Sequence, residues 1–264
     1  MNKILNKIYC GNSYNVLKEY IPNNTVDLTV TSPPYSNLRH YNNTLSNDTW
    51  NFNIFKQIAN ELYRVTKDGG IVVWIVNDKT EKGSKTLNSF KEALYFQEIG
   101  FNVNDVMIWQ KKNYMPQVSQ PRYSDCFEYM FIFSKGKPKT FNPIKVPCKC
   151  AGQEYHSTTK NMGGENGRTY KEFNINKEKV KPNIWECAVA QNKDKIHPAI
   201  FPESLIIDHI KSWSNEGDVV LDPFVGSGTT CIAAKKLNRN YIGIDINQEY
   251  VDFTKMKISK LTKS

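Results

Sequence analysis

Apolar residues in this chain gather in short runs that alternate with stretches of helical spacing. The runs typical of strands end at turn residues and cover 26–31, 71–76, 103–110, 127–134, 219–221 and 241–244. Helical spacing covers 52–65, 229–237 and 248–261. Strands that alternate with helices predict an α/β domain around a largely parallel sheet. Trp74, Trp109 and Trp213 lie in apolar stretches, and we expect them in the core.

The region from Lys137 to Asp194 departs from this alternation. It is rich in Lys, Asn, Gly and Pro and has few apolar runs. A segment of that length inside a compact domain commonly has a function of its own. The sequence therefore predicts one domain formed by residues 1–136 and 195–264, with a small insertion at 137–194.

Composition narrows the class of protein. The 264 residues, 39% of them hydrophobic, suffice for one sizeable core. No stretch approaches the roughly 20 apolar residues of a membrane span, and no signal peptide is evident, so we expect a cytoplasmic protein. A net charge of +9 favours a polyanionic partner. The pair Cys148 and Cys150 lacks a second pair of ligands nearby, so we expect free thiols and no metal.

A glycine-rich segment, Asp222-Pro-Phe-Val-Gly-Ser-Gly-Thr-Thr230, follows a predicted strand and opens a predicted helix. Gly226 and Gly228 allow a sharp turn and a close approach of the backbone to a ligand. Asp245 ends the next strand, where a carboxylate can accept hydrogen bonds from ribose hydroxyls. The loop lacks the lysine of a P-loop, and Cys231 stands where a dinucleotide site has a third Gly or Ala. A nucleotide-like cofactor other than a nicotinamide is favoured over a plain turn.

A second segment, Thr31-Ser-Pro-Pro-Tyr35, ends a strand near the other terminus. The side-chain oxygen of Ser32 and the carbonyl of Pro33 can accept hydrogen bonds from an exocyclic base amine, whose lone pair is otherwise delocalised into the ring. Such bonds draw the amine toward tetrahedral geometry, and two prolines hold the acceptors rigidly. Tyr35 offers a ring for stacking an extruded base. The plainer alternative is that the prolines only stop the strand.

Together these two segments resemble the amino-methyltransferases of DNA, in the permuted order called beta class. In that class the catalytic motif comes first, the target-recognition region follows, and the cofactor loop comes last. Four more stretches agree, namely Ser36-Asn-Leu-Arg-His-Tyr41, Leu62-Tyr-Arg-Val-Thr-Lys-Asp-Gly-Gly70, His197-Pro-Ala-Ile-Phe-Pro-Glu203 and Tyr241-Ile-Gly-Ile-Asp245. The resemblance spans nearly the whole chain. It implies a circularly permuted, methyltransferase-type (Rossmann-like) sheet of seven mostly parallel strands.

The resemblance also implies the ligands and the site residues. The cofactor would be S-adenosylmethionine and the substrate double-stranded DNA. The catalytic positions carried over are Ser32, Pro33, Pro34 and Tyr35. The cofactor positions carried over are Asn12, Thr31, His197, Pro198, Asp222, Phe224, Gly226, Ser227, Gly228, Thr229 and Asp245. Asn12 departs from the family pattern, which usually has Asp there, although its amide oxygen can still accept a hydrogen bond.

Contacts with DNA are expected at two places. The insertion at 137–194 would read base edges in the major groove, with Lys160, Arg168 and Lys171 near phosphates. Arg39 would hold the extruded nucleotide or its phosphate. By analogy with the family, a cognate restriction endonuclease and a second copy of the chain are further expected partners, and a membrane is not.

Ser32 in the first position of the motif resembles the cytosine-N4 enzymes, whereas Asp or Asn there is usual in adenine-N6 enzymes. We therefore expect cytosine-N4 methylation, with adenine-N6 as the alternative. Cytosine-C5 methylation through Pro147-Cys148 is rejected, because this dipeptide lies in the insertion and leaves the proline segment unexplained. Other open classes are a non-catalytic DNA-binding module, a nicotinamide-dependent oxidoreductase, and a methyltransferase for RNA or small molecules. Intact acceptors and glycines favour an enzyme, and the basic charge favours DNA.

Overall fold

The computed structural model describes residues 3–34, 50–116, 121–152, 154–160, 168–189 and 201–261, with the backbone alone at 154–160 and 168–174. The strands in these ranges are β1 (Lys7–Cys10), β2 (Val26–Thr31), β3 (Thr66–Val76), β4 (Thr80–Glu81), β5 (Ser84–Lys85), β6 (Asn102–Lys111), β7 (Phe127–Ser134), β8 (Lys145–Pro147), β9 (Glu154–Lys160), β10 (Arg168–Asn174), β11 (Glu178–Val180), β12 (Ile184–Cys187), β13 (Val219–Asp222) and β14 (Asn240–Asp245). The helices are α1 (Ser13–Tyr20), α2 (Phe52–Val65), α3 (Asn88–Glu98), α4 (Glu203–Trp213), α5 (Thr229–Lys236) and α6 (Gln248–Lys260).

The main sheet in these ranges has the strand order β1-β14-β13-β2-β3-β7-β6-β12. Its first five strands pair in parallel, and β7 runs antiparallel between β3 and β6. The predicted α/β fold with a mostly parallel sheet is thereby confirmed. An eighth strand, β12, pairs in parallel with β6, forms the edge of the sheet and extends the expected seven strands. It comes from the end of the region that the sequence assigned to the insertion.

Strand order explains the burial of the sheet centre. In the centre of a parallel sheet, covered on both faces, strands become continuous apolar runs. Residues 71–76 of β3 accordingly have at most 4% of their surface exposed. Next to them α2 buries the face formed by Phe55, Ile58 and Leu62, a spacing of three and four residues. Asn51 caps this helix, because its side chain accepts hydrogen bonds from Asn53 N and Ile54 N.

The three tryptophans expected in the core are buried. Trp74 has no exposed surface, and Trp109 and Trp213 are 3% and 7% exposed. Within the described ranges no helix is both long and apolar enough to cross a membrane. All six cysteines fall in these ranges, and all six are free.

The chain divides into two compact units. One comprises Met1–Asn142 with Asn183–Ser264, and the other comprises Pro143–Pro182. The smaller unit holds two antiparallel pairs, β9 with β10 and β8 with β11. Its sequence contains eight Lys and Arg and four Glu, so 8 − 4 gives a net charge of +4. This small unit therefore contributes a large part of the basic excess of the chain.

Packing around β14 generates a stability prediction. A Cβ on Gly243 would lie 2.5 Å from Val225 Cγ2 and 2.6 Å from Ile8 Cδ1. Gly243→Ala is therefore expected to lower the free energy of unfolding by about 1–3 kcal/mol, as overpacking does. Urea denaturation measures this change. Gly217→Ala is the control, since a Cβ there meets nothing within 4 Å and only the backbone angle φ of +83° is unfavourable. A smaller loss for Gly243→Ala than for Gly217→Ala would contradict the packing argument.

Candidate active site

The two segments singled out in the sequence meet at one edge of the main sheet. β2 and β13 are adjacent and parallel, with Val220 paired to Leu28 and Leu221 to Thr29. Parallel neighbours end at the same edge, so the proline segment after β2 and the glycine loop after β13 begin side by side. The hydroxyl of Thr31 donates a hydrogen bond of 2.7 Å to Asp222 Oδ1 and joins the two strand ends directly.

Asp222 organises this edge from inside the core. Its Oδ1 also accepts a 3.1 Å bond from the backbone N–H of Phe224, at the start of the glycine loop. Burial raises the pKa of the Asp222 carboxyl to about 6, against the lowering effect of hydrogen bonds from Thr31, Phe224 N and Thr230, and the charge of Asp245 raises it further. Thr31 and Asp222 were expected among the cofactor positions. Their side chains bond each other, which suits positioning of the loop.

The glycine loop turns where the sequence placed its two glycines. Gly226 and Gly228 have φ angles of +50° and +84°, in the left-handed region that favours glycine. A Cβ on Gly228 would lie 2.7 Å from Thr254 Cγ2 and Oγ1, so α6 packs against the loop too closely for a side chain. Ser227 is buried, and its hydroxyl lies 3.2 Å from the hydroxyl of Thr229. The loop is therefore fixed by both its turn and its packing.

Asp245 holds the glycine loop from the adjacent strand β14. Its Oδ2 accepts a 2.7 Å bond from Gly226 N, and its Oδ1 accepts a 2.9 Å bond from Asn247 N. Burial raises the pKa of the Asp245 carboxyl, and backbone N–H bonds from Asn247, Gly226 and Ile246 oppose this rise. A carboxylate has about four acceptor positions, and three N–H groups occupy three of them, so one position remains for a ribose hydroxyl.

The chemistry of this edge suits S-adenosylmethionine. The carboxyls of Asp222 and Asp245 lie near a loop of backbone groups and the half-buried ring of Phe224. The cofactor carries a positive sulfonium and ammonium group, a ribose diol and an aromatic base. Carboxylates complement the first two kinds of group, and an aromatic side chain complements the third. No Cβ projects from Gly226 or Gly228 to fill the space beside the loop.

The two predicted acceptors for a base amine are neighbours. Ser32 is half-buried, and its Oγ lies 3.5 Å from the carbonyl oxygen of Pro33. Pro33 is buried and Pro34 is half-buried. The corner that these two prolines form after β2 is therefore held by packing as well as by its fixed φ angles. One amino group can therefore reach both acceptors. Tyr35, the last residue of the segment, lies outside the described residues.

The N-terminus of α1 reaches the same edge, because β1 pairs in parallel with β14. Asn12 caps this helix, with its Oδ1 accepting bonds from Tyr14 N and Asn15 N. Its acceptor is thus used by the helix, and the amide N–H group is what it can offer a ligand. Ser13 donates a 2.6 Å bond to the carbonyl of Pro223 and ties α1 to the glycine loop. Sequence reasoning missed Ser13, although an Asn-Ser pair opening a helix is a readable capping signal.

An aromatic cluster behind the loop was also missed. The ring of Phe224 packs edge-on against Trp50 at a centroid distance of 5.2 Å and against Trp74 at 6.3 Å. Trp74 Nε1 donates a 2.8 Å bond to Glu92 Oε2, inside the core. The sequence identified Trp74 only as a core residue. Glu92 left no readable signal, because α3 was not recognised as a helix.

The remaining predicted site residues lie either outside the described residues or in the β9–β10 hairpin. Tyr35, Arg39, His197 and Pro198 lie outside the described residues. Lys160 ends β9, and Arg168 and Lys171 lie on β10, where the backbone alone is described. Arg168 pairs with Lys160 and Lys171 with Ser157 in the register of this hairpin. Their roles stay predictions.

Comparisons with known proteins identify the family to which the chain belongs. A family model for N6/N4-type enzymes, described as DNA methylase, matches residues 26–256. The chain belongs to this family of S-adenosylmethionine-dependent DNA methyltransferases, and the beta-class resemblance is confirmed.

Two curated relatives and two solved structures illustrate the likeness. The orphan methyltransferase M.BamHII of Bacillus amyloliquefaciens is 49% identical over 254 residues, which cover 92% of each chain. The type II methyltransferase M.HpaI of Haemophilus parainfluenzae is 34% identical over 96% of this chain and 74% of its own. The M1.HpyAVI–SAM complex has a TM-score of 0.63 at 23% identity, covering 96% of this chain and 98% of that one. The cytosine-N4-specific PvuII DNA methyltransferase has a TM-score of 0.65 at 20% identity, covering 97% and 89%.

The raised pKa of Asp222 predicts a pH dependence of stability. A carboxyl whose pKa rises on folding binds protons more tightly in the folded state. Its contribution to stability is therefore present below about pH 4 and is lost as the pH rises through about 6. Asp222→Asn keeps an acceptor oxygen and removes the titration. Its stability relative to wild type should rise by about 2 kcal/mol between about pH 4.5 and 7.

Chemical denaturation at the two pH values measures the effect. Asp68→Asn is the matched surface control, since the Asp68 side chain is 88% exposed. If the free energies of unfolding of wild type and Asp222→Asn changed with pH in parallel, the assignment of a buried, titrating carboxyl would be contradicted.

Proposed function

We propose that this DNA methyltransferase transfers the methyl group of S-adenosylmethionine to the exocyclic N4 of cytosine in duplex DNA. The observation that carries the proposal is the pair of acceptors, Ser32 Oγ and the Pro33 carbonyl, beside the strand end that Thr31 bonds to Asp222. Serine in this position favours cytosine-N4 chemistry by family resemblance. Adenine-N6 methylation is the alternative, because either base needs only an acceptor for its amine.

In the proposed reaction two acceptor groups of the protein orient the amine of the base, and the amine loses a proton after methyl transfer. The bound cofactor supplies an electrophilic methyl group. Ser32 Oγ and the Pro33 carbonyl accept hydrogen bonds from the two amine hydrogens, which turns the nitrogen lone pair away from the ring. Without a bound base, the Ser32 hydroxyl donates a long hydrogen bond of 3.5 Å to the Pro33 carbonyl. A bond of this length is weak, so little energy is lost when the amine replaces the hydroxyl as its donor. The nitrogen would gain the methyl group as the bond from that carbon to sulfur breaks, and it would then release one proton to water, so no general base is needed before attack.

The remaining site residues support these two groups. Pro34 stiffens the corner, and Tyr35 stacks on the extruded base. Phe224 and Asp245 bind the base and ribose of the cofactor. Contacts at the rest of the glycine loop, at Asn12, and at His197 and Pro198 complete the cofactor site.

Recognition of the DNA sequence is proposed for the insertion at 137–194, centred on the unit Pro143–Pro182. The unit carries a net charge of +4 in 40 residues. Its β9–β10 hairpin is a two-stranded antiparallel ribbon, an element that the major groove admits. We propose that Lys160, Arg168 and Lys171 bind phosphates there, and that Arg39 holds the extruded nucleotide.

The proposed setting is a restriction-modification system in the cytoplasm of a bacterial or archaeal cell. The type II name of the HpaI relative favours a companion endonuclease, whereas the M.BamHII relative is named an orphan. We retain the endonuclease, and a second copy of the chain, as proposed partners.

One experiment decides the target base. The protein is incubated with duplex DNA and S-adenosylmethionine, the DNA is digested to nucleosides, and the methylated nucleoside is identified by mass spectrometry. N4-methylcytosine is expected. N6-methyladenine would establish the alternative, and no methylated nucleoside with a range of DNA sequences would contradict the enzyme assignment.

Ser32→Ala and Gly226→Asp separate catalysis from cofactor binding. Ser32→Ala removes one amine acceptor, so kcat should fall by about 10²–10³-fold while cofactor affinity stays close to wild type. Gly226→Asp adds a side chain and a negative charge where φ is +50°, so cofactor binding should be lost. Calorimetry with S-adenosylmethionine and single-turnover methylation measure the two effects. Ser84→Ala, at an exposed position of β5, is the control, and full activity of Ser32→Ala would refute the acceptor assignment.

Removing the positive charges of the β9–β10 hairpin tests whether the unit Pro143–Pro182 binds DNA. Replacing Lys160, Arg168 and Lys171 by Ala should weaken DNA binding and reduce the slope of log K against log salt by about 0.9 for each lost phosphate contact. The control replaces the exposed Lys7, Lys18 and Lys260 of the larger unit. Equal salt slopes for the two triple variants would contradict a DNA contact specific to the hairpin.

A further inference from the structure

A buried carboxyl on α3 accepts hydrogen bonds from two tryptophans. Glu92 is only 4% exposed, and its Oε2 accepts a 2.8 Å bond from Trp74 Nε1. The Trp50 side chain is the weaker of two tryptophan neighbours that lower the pKa of this carboxyl by hydrogen bonding. A carboxylate has acceptor sites alone, so it can bind two indole N–H groups without presenting a conflicting hydrogen. It therefore fixes the indole of Trp74 and attracts the indole of Trp50.

Both indoles pack against the same ring of the glycine loop. Trp50 and Phe224 meet with an interplanar angle of 87°, and Trp74 and Phe224 with one of 71°. Both tryptophans also contact Phe55 of α2, at centroid distances of 6.4 Å and 5.8 Å. The orientation of Phe224 thus depends on two rings whose N–H groups end at one carboxyl.

If folding stability were the only requirement, an apolar side chain would be favoured over a carboxyl at this position. Burying a group that can ionise costs more than burying an apolar side chain of the same size. Burial raises the pKa of Glu92 to about 7, the indole bond from Trp74 lowers it, the charge of Asp78 raises it, and a weaker interaction with Trp50 lowers it. Asp78 is the charged group that acts on Glu92 here, and it is itself bound by Ser89 N at 3.1 Å and by Thr86. A buried carboxyl that costs stability at a core position is a candidate for a function beyond stability.

We propose that Glu92 is a positioning residue for the cofactor site, where its carboxylate holds Trp50 and Trp74 so that Phe224 presents a fixed ring to the cofactor. The inference rests on the proposed function through one assignment, that Phe224 contacts the cofactor. It does not depend on which base is methylated.

The proposal predicts opposite pH trends for affinity and stability. Below about pH 7 Glu92 takes up a proton and loses part of its acceptor capacity, so one indole is held less well and cofactor affinity falls. The raised pKa means that the folded state binds this proton more tightly, so the same acidification increases the contribution of Glu92 to stability. A purely structural role would not weaken the cofactor while stabilising the fold.

Four variants test this. Glu92→Met removes the acceptors, Glu92→Gln keeps one oxygen without charge, and Trp50→Phe removes one N–H while keeping a ring. Glu98→Met, at an exposed position of the same helix, is the matched control. Calorimetry with S-adenosylmethionine from about pH 6 to 8.5, together with kcat and KM, gives the readout. Thermal denaturation over the same range reports stability.

Glu92→Met is expected to raise the Kd for S-adenosylmethionine about tenfold at the upper end of the pH range, with kcat at saturation changed by less than about twofold. Trp50→Phe should raise Kd by about threefold, as loss of one net hydrogen bond does. The Kd of Glu92→Gln should not vary with pH and should stay close to the Kd that wild type shows at the acidic end of the range. A wild-type Kd that does not vary with pH, or Glu92→Gln with the wild-type profile, would overturn the proposal.

Trp50→Phe decides the question if Glu92→Met does not fold, because Trp50 is only partly buried. Phe224→Leu separates this inference from the cofactor site itself. Wild-type affinity in Phe224→Leu would overturn the assignment of Phe224 and the inference with it. Weakened binding in Phe224→Leu with wild-type affinity in Glu92→Met and Trp50→Phe would overturn the inference alone.

Discussion

The hydrogen bond from Thr31 to Asp222 is the contact on which the site depends. It joins residues 191 positions apart in the chain, at the ends of two adjacent parallel strands. The same carboxyl oxygen accepts the N–H of Phe224, so one buried group sets both the strand end before Ser32 and the start of the glycine loop. Because Asp222 is buried, its bonds are shielded from competing water, and the geometry that it sets is stiff.

The permuted order of the motifs follows from the same geometry. Parallel strands end at one edge of a sheet whichever strand comes first in the chain. β13 and β14, near the C-terminus, therefore pair with β2 and β1, near the N-terminus. The proline segment after β2 and the glycine loop after β13 become neighbours without any need to be close in sequence. Amine methylation requires this arrangement, since acceptor atoms and methyl donor must face one amino group together.

Three buried acidic groups lie around the glycine loop and the aromatic rings packed behind it. Asp222, Asp245 and Glu92 all have pKa values raised by burial, to about 6 and about 7 for the first and the last. Each is supported by hydrogen-bond donors, namely a hydroxyl, backbone N–H groups and indoles respectively. Their ionised forms complement a positively charged cofactor, and the donors offset part of the cost of desolvation. Electrostatics and packing are thus combined in the same residues.

The sequence by itself determined the central elements and the two chemical segments. Residues 26–31, 52–65 and 127–134 match a strand, a helix and a strand, because burial there has a simple period. It did not reveal α3, whose apolar Phe90 and Leu94 are exposed. The bond from Thr31 to Asp222, the contact of Gly228 with Thr254 and the burial of Glu92 between two indoles were decided only by the tertiary structure. A local pattern encodes which side chains are buried, whereas the partner of each one depends on how distant segments come together.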